Sequence, residues 1–148
     1  MARLKVFVLH ERLVAATAPL GDAPLCRILL LNDRRFPWLL LVPRRMEIEE
    51  IVDLAKADRS QLVEEIAQAS GVLRALYRPY RLNVADIGNK AAQLHIHIVA
   101  RHQDDALWPA VVWSHPYEPY ERYDEPGLAA RVAELQKGLT AMPGFSPL

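Results

Sequence analysis

The sequence is short of cysteine, of charge of either sign in excess, of long apolar runs and of linker composition. Its single cysteine, Cys26, excludes an internal disulfide framework in a chain of 148 residues and fits a reducing compartment. Lys and Arg number 18 and so do Asp and Glu, leaving a formal net charge of zero at pH 7. That balance excludes a protein that coats duplex nucleic acid, but it allows a small patch for one phosphate-bearing ligand. No apolar run reaches the roughly 18 residues of a membrane span: the run 28–31 is interrupted by Asn32-Asp33-Arg34-Arg35 before 38–42 resumes. The apolar stretch 4–9 is too short for a secretion signal and runs into His10-Glu11-Arg12 without a small-residue cleavage site, so a cytoplasmic protein with no membrane partner is expected. No repeat, low-complexity tract or Gly/Ser linker divides the chain, and one domain over residues 1–148 is expected.

What is present is enough for a core. Hydrophobic residues make up 51% of the chain, and a domain of this size buries roughly 70% of its unfolded surface. Mixed apolar spacing over 4–16 is read as a helix, and Leu20-Gly21-Asp22-Ala23-Pro24 as a turn. Apolar runs at 25–31 and 38–42, bounded by turn residues, read as neighbouring antiparallel strands. Leu62, Ile66, Ala69, Leu73 and Leu76 recur at helical spacing over 58–77, with Asp58 as N-cap and Pro79 as the stop. Strands follow at 81–87 and 92–100, then a tail rich in Pro, Tyr and Trp at 107–126 and a short helix at 127–139. Four strands with one long helix between the second and third predict an α+β fold with an antiparallel sheet.

The strand at 92–100 carries the chemistry. Alternation places Gln93, His95 and His97 on one face and Leu94, Ile96 and Ile98 on the other. Successive histidines on that face lie roughly 6.6 Å apart along the backbone, so both imidazoles can grip one phosphate-sized group. A neutral imidazole is a competent nucleophile toward phosphorus when its other nitrogen holds the proton, and a backbone carbonyl on that nitrogen fixes the tautomer. A second histidine nearby can donate to a phosphoryl or leaving oxygen, whereas Gln93 can orient a group but cannot act as acid or base. Two other readings of the same residues stand beside this one. The histidines can be satisfied structural residues, or they can form half of a zinc site completed from His102, His115, Asp104 and Asp105, although no compact Cys/His spacing supports a metal.

The segment Gln93-Leu94-His95-Ile96-His97-Ile98-Val99, with Asn83 ten residues before it and Trp108-Pro109 eleven beyond His97, resembles the histidine-triad superfamily. Its motif is His-φ-His-φ-His-φ-φ, where φ is apolar. The resemblance covers roughly residues 25–113 and includes Leu31-Asn32-Asp33 and Leu41-Val42-Pro43-Arg44. It implies a homodimeric nucleotidyl hydrolase or transferase acting on a nucleoside phosphoanhydride or phosphoramidate, such as a diadenosine polyphosphate or an adenylated amine. It implies no metal and no cofactor. By position His95 matches the nucleophile that forms a nucleotidyl-histidine intermediate, and His97 matches the histidine that contacts phosphate and bridging oxygen. Asn83 matches a residue that orients phosphate, and Asn32 or Asp33 the ribose contact. The departure is Gln93 in place of the first histidine, which resembles a HIT-like hydrolase subgroup that shares this Gln and the later Trp-Pro. It also leaves open a nucleotide-binding protein with little turnover.

Other residues carry weaker signals. Arg27, Arg34, Arg35, Arg44, Arg45 and Arg101 offer charge for a polyphosphate, Arg34, Arg35 and Arg44 best because they flank the supposed ribose turn, while ordinary surface charge is the plainer reading. Asn89 and Lys90, after Gly88, can offer hydrogen bonds to phosphate from the loop before the motif strand. Trp38 is expected in the core, Trp108 and Trp113 at the rim of the site or a subunit contact, and His10, His102 and His115 at the surface. Cys26 is expected to be a small core residue.

Overall fold

The computed structural model describes residues 6–114 and 120–148. Helix α1 (Glu11–Ala16) leads into strands β1 (Thr17–Asp22), β2 (Cys26–Leu31) and β3 (Trp38–Pro43). Helix α2 (Lys56–Tyr77), strands β4 (Arg81–Asp86) and β5 (Ile96–Arg101), helix α3 (Glu125–Leu139) and a short β6 (Ser146–Pro147) complete the chain. The strands form one antiparallel sheet in the order β4-β5-β3-β2-β1-β6. The fold is α+β, with six strands where the sequence reading has four.

The two added strands have local causes. Of the expected turn over 20–24, residues 20–22 are the end of β1, where the register with β2 shifts at a β-bulge between Pro19 and Gly21, and the chain turns only after Asp22. At Gly21 an added Cβ would lie 2.5 Å from the Phe145 ring and from the Ser146 carbonyl, so only glycine lets β6 pair there. The expected helix over 4–16 is helical only from Glu11; residues 6–10 form an arm with no regular structure. His10 caps α1, its Nδ1 accepting from the Arg12 amide at 3.1 Å.

Helix α2 starts two residues before its expected N-cap. Ala55 holds the cap position without a side-chain bond, and Asp58 in the first turn is gripped by Arg45 at 2.7 and 2.9 Å. Arg78, in the left-handed conformation ahead of Pro79, ends the helix. Helix α3 begins earlier than expected, where Asp124 accepts from the Gly127 amide at 2.8 Å.

Both faces of the sheet are covered, which is why β2 and β3 read as unbroken apolar runs and not as alternating ones. On one face Leu62, Ala69, Val72 and Leu73 of α2 and Leu135 and Leu139 of α3 pack on Ile28, Leu30, Leu39, Leu41, Leu94, Ile96 and Ile98. On the other, Phe7 and Leu9 of the arm, Leu13 of α1 and Leu107, Val112 and Trp113 of the tail cover Leu29, Leu31, Trp38, Leu40, Val42 and Val99. Glu65 is the polar exception on the buried face of α2. Its carboxylate accepts from the amides of Leu25 and Cys26 at 2.9 and 2.8 Å and from Gln61 at 2.7 Å.

Candidate active site

Regular pairing of the motif strand begins at Ile96, so Gln93 and His95 sit in the lead-in to β5 and His97 inside it. His97 lies opposite Leu40 of β3 and Ala85 of β4. Leu94, Ile96 and Ile98 point to α2 as the alternation requires, and the imidazoles point to the opposite face. That face is closed over by the arm and the tail, leaving His95 4% and His97 6% exposed.

The two rings, 5.0 Å apart between centroids, are held in opposite tautomers. His95 Nδ1 lies 2.7 Å from the Gln93 carbonyl, which can only accept, so Nδ1 carries the proton and the lone pair is on Nε2. That Nε2 makes no hydrogen bond to a described residue. His97 Nε2 lies 3.1 Å from the Ile87 carbonyl and carries its proton there, while Nδ1 accepts from the Trp38 indole N–H at 3.0 Å. Burial, with His95 as a further contribution, pushes the His97 pKa down to about 4, so this imidazole is neutral near pH 7. One histidine therefore presents a bare nitrogen and its neighbour an N–H.

The loop from Ile87 to Ala91 touches both rings. Besides the Ile87 carbonyl on His97, Gly88 lies against His95: an added Cβ would stand 3.4 Å from the imidazole Cε1 and 2.9 Å from the Ala91 carbonyl. Gly88 is required for close approach and does not use a positive φ. Asn89 and Lys90 are exposed on the same loop.

Other residues singled out in the sequence are engaged elsewhere. The Gln93 amide holds the arm, its Oε1 accepting from the His10 amide at 2.8 Å and its Nε2 donating to the Val8 carbonyl at 3.0 Å. A cleft of about 220 Å³ lies beside it, lined by His10, Glu47, Ile48, Glu49 and Ala92. Asp33 is fully buried beneath Arg35, which it binds at 2.7 and 3.0 Å, and Asn32 Oδ1 accepts from the Tyr123 amide at 3.0 Å. Asn83 shares the histidine face, opposite Val99, but its Oδ1 accepts from Arg101 at 2.9 Å. In this structure, then, the supposed ribose and phosphate contacts Asn32, Asp33 and Asn83 are bonded to protein groups and not brought to the imidazoles.

The arginines are paired within the protein, and Arg101, which is buried, departs from the reading as surface charge. Arg27 pairs with Asp22 at 2.9 Å and Arg34 with Glu121 at 2.8 Å, while Arg44 donates to the Ala23 and Pro24 carbonyls at 2.7 and 2.9 Å. Arg101 is buried in a bidentate pair with Asp105 at 2.7 and 3.0 Å, beneath the rings of Phe36 and Trp108. His102 Nε2 donates to the Tyr77 carbonyl at 2.9 Å, and His115 lies outside the described residues. Cys26 is fully buried and burial pushes its thiol up, which leaves no thiolate for chemistry. Among the described residues no group of three His, Cys, Asp or Glu side chains is placed to hold a metal ion.

Trp38 and Ile87 are the site residues that sequence reasoning missed. Trp38 is in the core as expected, and Trp113 reaches the site rim, with ring centroids 5.3 Å from His97. Nothing local in the sequence reveals that the Trp38 indole meets His97, because their approach depends on the β3–β5 register that pairs Trp38 with Val99.

Comparison with known proteins bears on the fold and the family. No functionally curated protein matches the chain. Three solved structures of histidine triad proteins resemble it over most of their length. One from Marinobacter aquaeolei is 39% identical, covering 93% of this chain and 99% of its own, with a TM-score of 0.87. One from Bradyrhizobium japonicum is 37% identical over 90% and 98%, with a TM-score of 0.84. One from Sinorhizobium meliloti is 34% identical over 90% and 97%, with a TM-score of 0.84. Residues 12–104 match the HIT domain, and the chain belongs to the histidine-triad (HIT) family.

Proposed function

We propose that this protein is a nucleotidyl hydrolase or transferase in which His95 is the nucleophile. The observation that carries this reading is the bare Nε2 of His95, fixed by the 2.7 Å contact of Nδ1 with the Gln93 carbonyl inside the family's motif. That nitrogen attacks the α-phosphorus of a nucleoside phosphoanhydride or phosphoramidate and forms a P–N bond. The bond from phosphorus to the bridging oxygen or nitrogen breaks, and the leaving group departs with its electron pair and takes up a proton. Water then attacks phosphorus and loses a proton, the P–N bond breaks, and its electron pair returns to Nε2 as nucleoside monophosphate leaves. His97 donates its N–H toward the phosphoryl group. The rigid strand and the loop at Gly88 hold both rings in place before substrate arrives.

Diadenosine polyphosphates are the first substrate class to test and adenylated amines the second. We place the enzyme in the cytoplasm as a homodimer, acting as one domain in a HIT-like subgroup with Gln in the first triad position. A second reading, nucleotide binding with little turnover, is favoured by one observation: the side chains expected to meet ribose, Asn32 and Asp33, are already bonded to Tyr123 and Arg35.

The test is cleavage of diadenosine tetraphosphate in EDTA, followed by mass spectrometry, with wild type beside His95→Ala. Release of mononucleotide by wild type, a nucleotidyl adduct on the His95 peptide, and a loss of turnover of at least about a thousandfold in the variant are expected. Retained nucleotide binding without turnover in wild type would favour the second reading. Equal turnover by both proteins would remove His95 from the mechanism.

A further inference from the structure

We propose that Trp38 is a positioning residue for phosphoryl transfer: its indole N–H holds His97 in the single tautomer that offers substrate a neutral hydrogen-bond donor and not a proton. The proposal rests on the reading of His95 as nucleophile and deepens it by assigning the state of the second histidine.

An indole N–H can only donate, so the His97 Nδ1 at 3.0 Å from Trp38 Nε1 must be bare. A carbonyl can only accept, so the Nε2 at 3.1 Å from the Ile87 oxygen must carry hydrogen. The tautomer is thus specified from both sides. Protonating Nδ1 would set an N–H against an N–H in a buried place, so the same contact opposes the imidazolium.

Trp38 is fixed in the core by three further rings. Its ring meets those of Phe36, Trp113 and Tyr120 edge to face at 6.3, 6.0 and 6.0 Å, and its indole plane is fixed by all three. It reaches His97 diagonally across the β3–β5 ladder, where Leu40 is the direct neighbour.

The groups bordering His97 are Trp38 and Leu40 from β3, Ala85 from β4, His95 along its own strand, the Ile87 carbonyl and Trp113. Among these described residues only His95 has a titratable side chain, and none of them is a carboxylate that could hold a charge on His97. A phosphoryl group bound at His95 would compete with the Ile87 carbonyl for the Nε2–H. With His97 neutral, the leaving group takes its proton from a source other than an imidazolium at His97, such as solvent or the substrate itself.

The experiment follows the imidazole nitrogens of ¹⁵N-labelled full-length protein by long-range proton–nitrogen correlation, alongside the pH dependence of nucleotide turnover. In wild type, His97 should show a protonated Nε2 and a bare Nδ1, unchanged between about pH 5 and 8. In Trp38→Phe the signals should move toward mixed tautomers and begin to titrate in that range. Turnover should fall roughly 10- to 100-fold with KM little changed, and a new acidic limb should enter the rate profile. The proposal is overturned if wild-type His97 titrates there or carries its proton on Nδ1, a measurement that needs no variant to fold. It is equally overturned if folded Trp38→Phe loses turnover while the His97 nitrogens and the pH profile stay as in wild type, since the effect is then structural. A wild type that cleaves no nucleotide defeats the reading of His95 instead, and the tautomer spectra still decide what Trp38 does to His97.

Discussion

Two identical side chains two residues apart, one in the lead-in to β5 and one inside it, are held in opposite tautomers because their partners differ. His95 donates a hydrogen bond from Nδ1–H to the Gln93 carbonyl and keeps Nε2 bare, and His97 is reversed by an indole N–H on one nitrogen and a carbonyl on the other. The difference has a consequence for stability. His97 has a pKa of about 4 in the folded protein against 6.5 for an unperturbed imidazole, so between those values the unfolded chain binds more protons than the folded one. The stability contributed by keeping His97 neutral is fully present above about pH 6.5, and it is lost as the pH falls through about 4. The gap corresponds to about 3 kcal/mol. Urea unfolding across this range should show that slope in wild type, and His97→Gln should remove most of it. A slope shared by both proteins would assign the acid sensitivity to other groups.

Strand β2 and helix α2 are joined by one buried carboxylate. The amides of Leu25, just before β2, and of Cys26, its first residue, are satisfied by Glu65, which reaches from the α2 face to accept from both. A Glu among Leu62, Ala69, Val72 and Leu73 breaks the apolar pattern of the helix for this reason. Glu65→Leu keeps the volume but orphans two buried amides, and a loss of roughly 2–5 kcal/mol is expected in denaturant titration. An effect below about 0.5 kcal/mol would show that water replaces the carboxylate. The helix over 58–77 and the strands at 25–31, 38–42 and 81–87 were legible because local periodicity and turn residues mark them. β1 was not, since Gly21 and Asp22 read as part of a turn, whereas Gly21 follows a bulge and allows a close crossing with Phe145.

The whole sheet ends at β4, whose outer edge pairs with no described strand. Such an edge, with Val84 48% exposed on it, is a template for a second chain. In the dimer proposed above two β4 edges would meet and extend the sheet. Light scattering should then give twice the chain mass, and Val84→Lys should shift the protein toward monomer without lowering its melting temperature. A monomeric wild type at micromolar concentration would refute the dimer.

Alternation along residues 93–99 was enough to set Gln93, His95 and His97 on one face and the apolar residues on the other, because the period of a strand is a property of the chain. The motif also pointed to the family, and the backbone carbonyl on one imidazole nitrogen follows from local geometry. What the face meets was decided by tertiary structure. Only folding brings the arm to Gln93, the Tyr123 amide to Asn32, Arg101 to Asn83, and the Trp38 indole to His97. Each of these contacts joins segments fixed by strand register, helix docking or loop closure, and hydrogen-bond partners at those separations leave no periodic trace in the sequence.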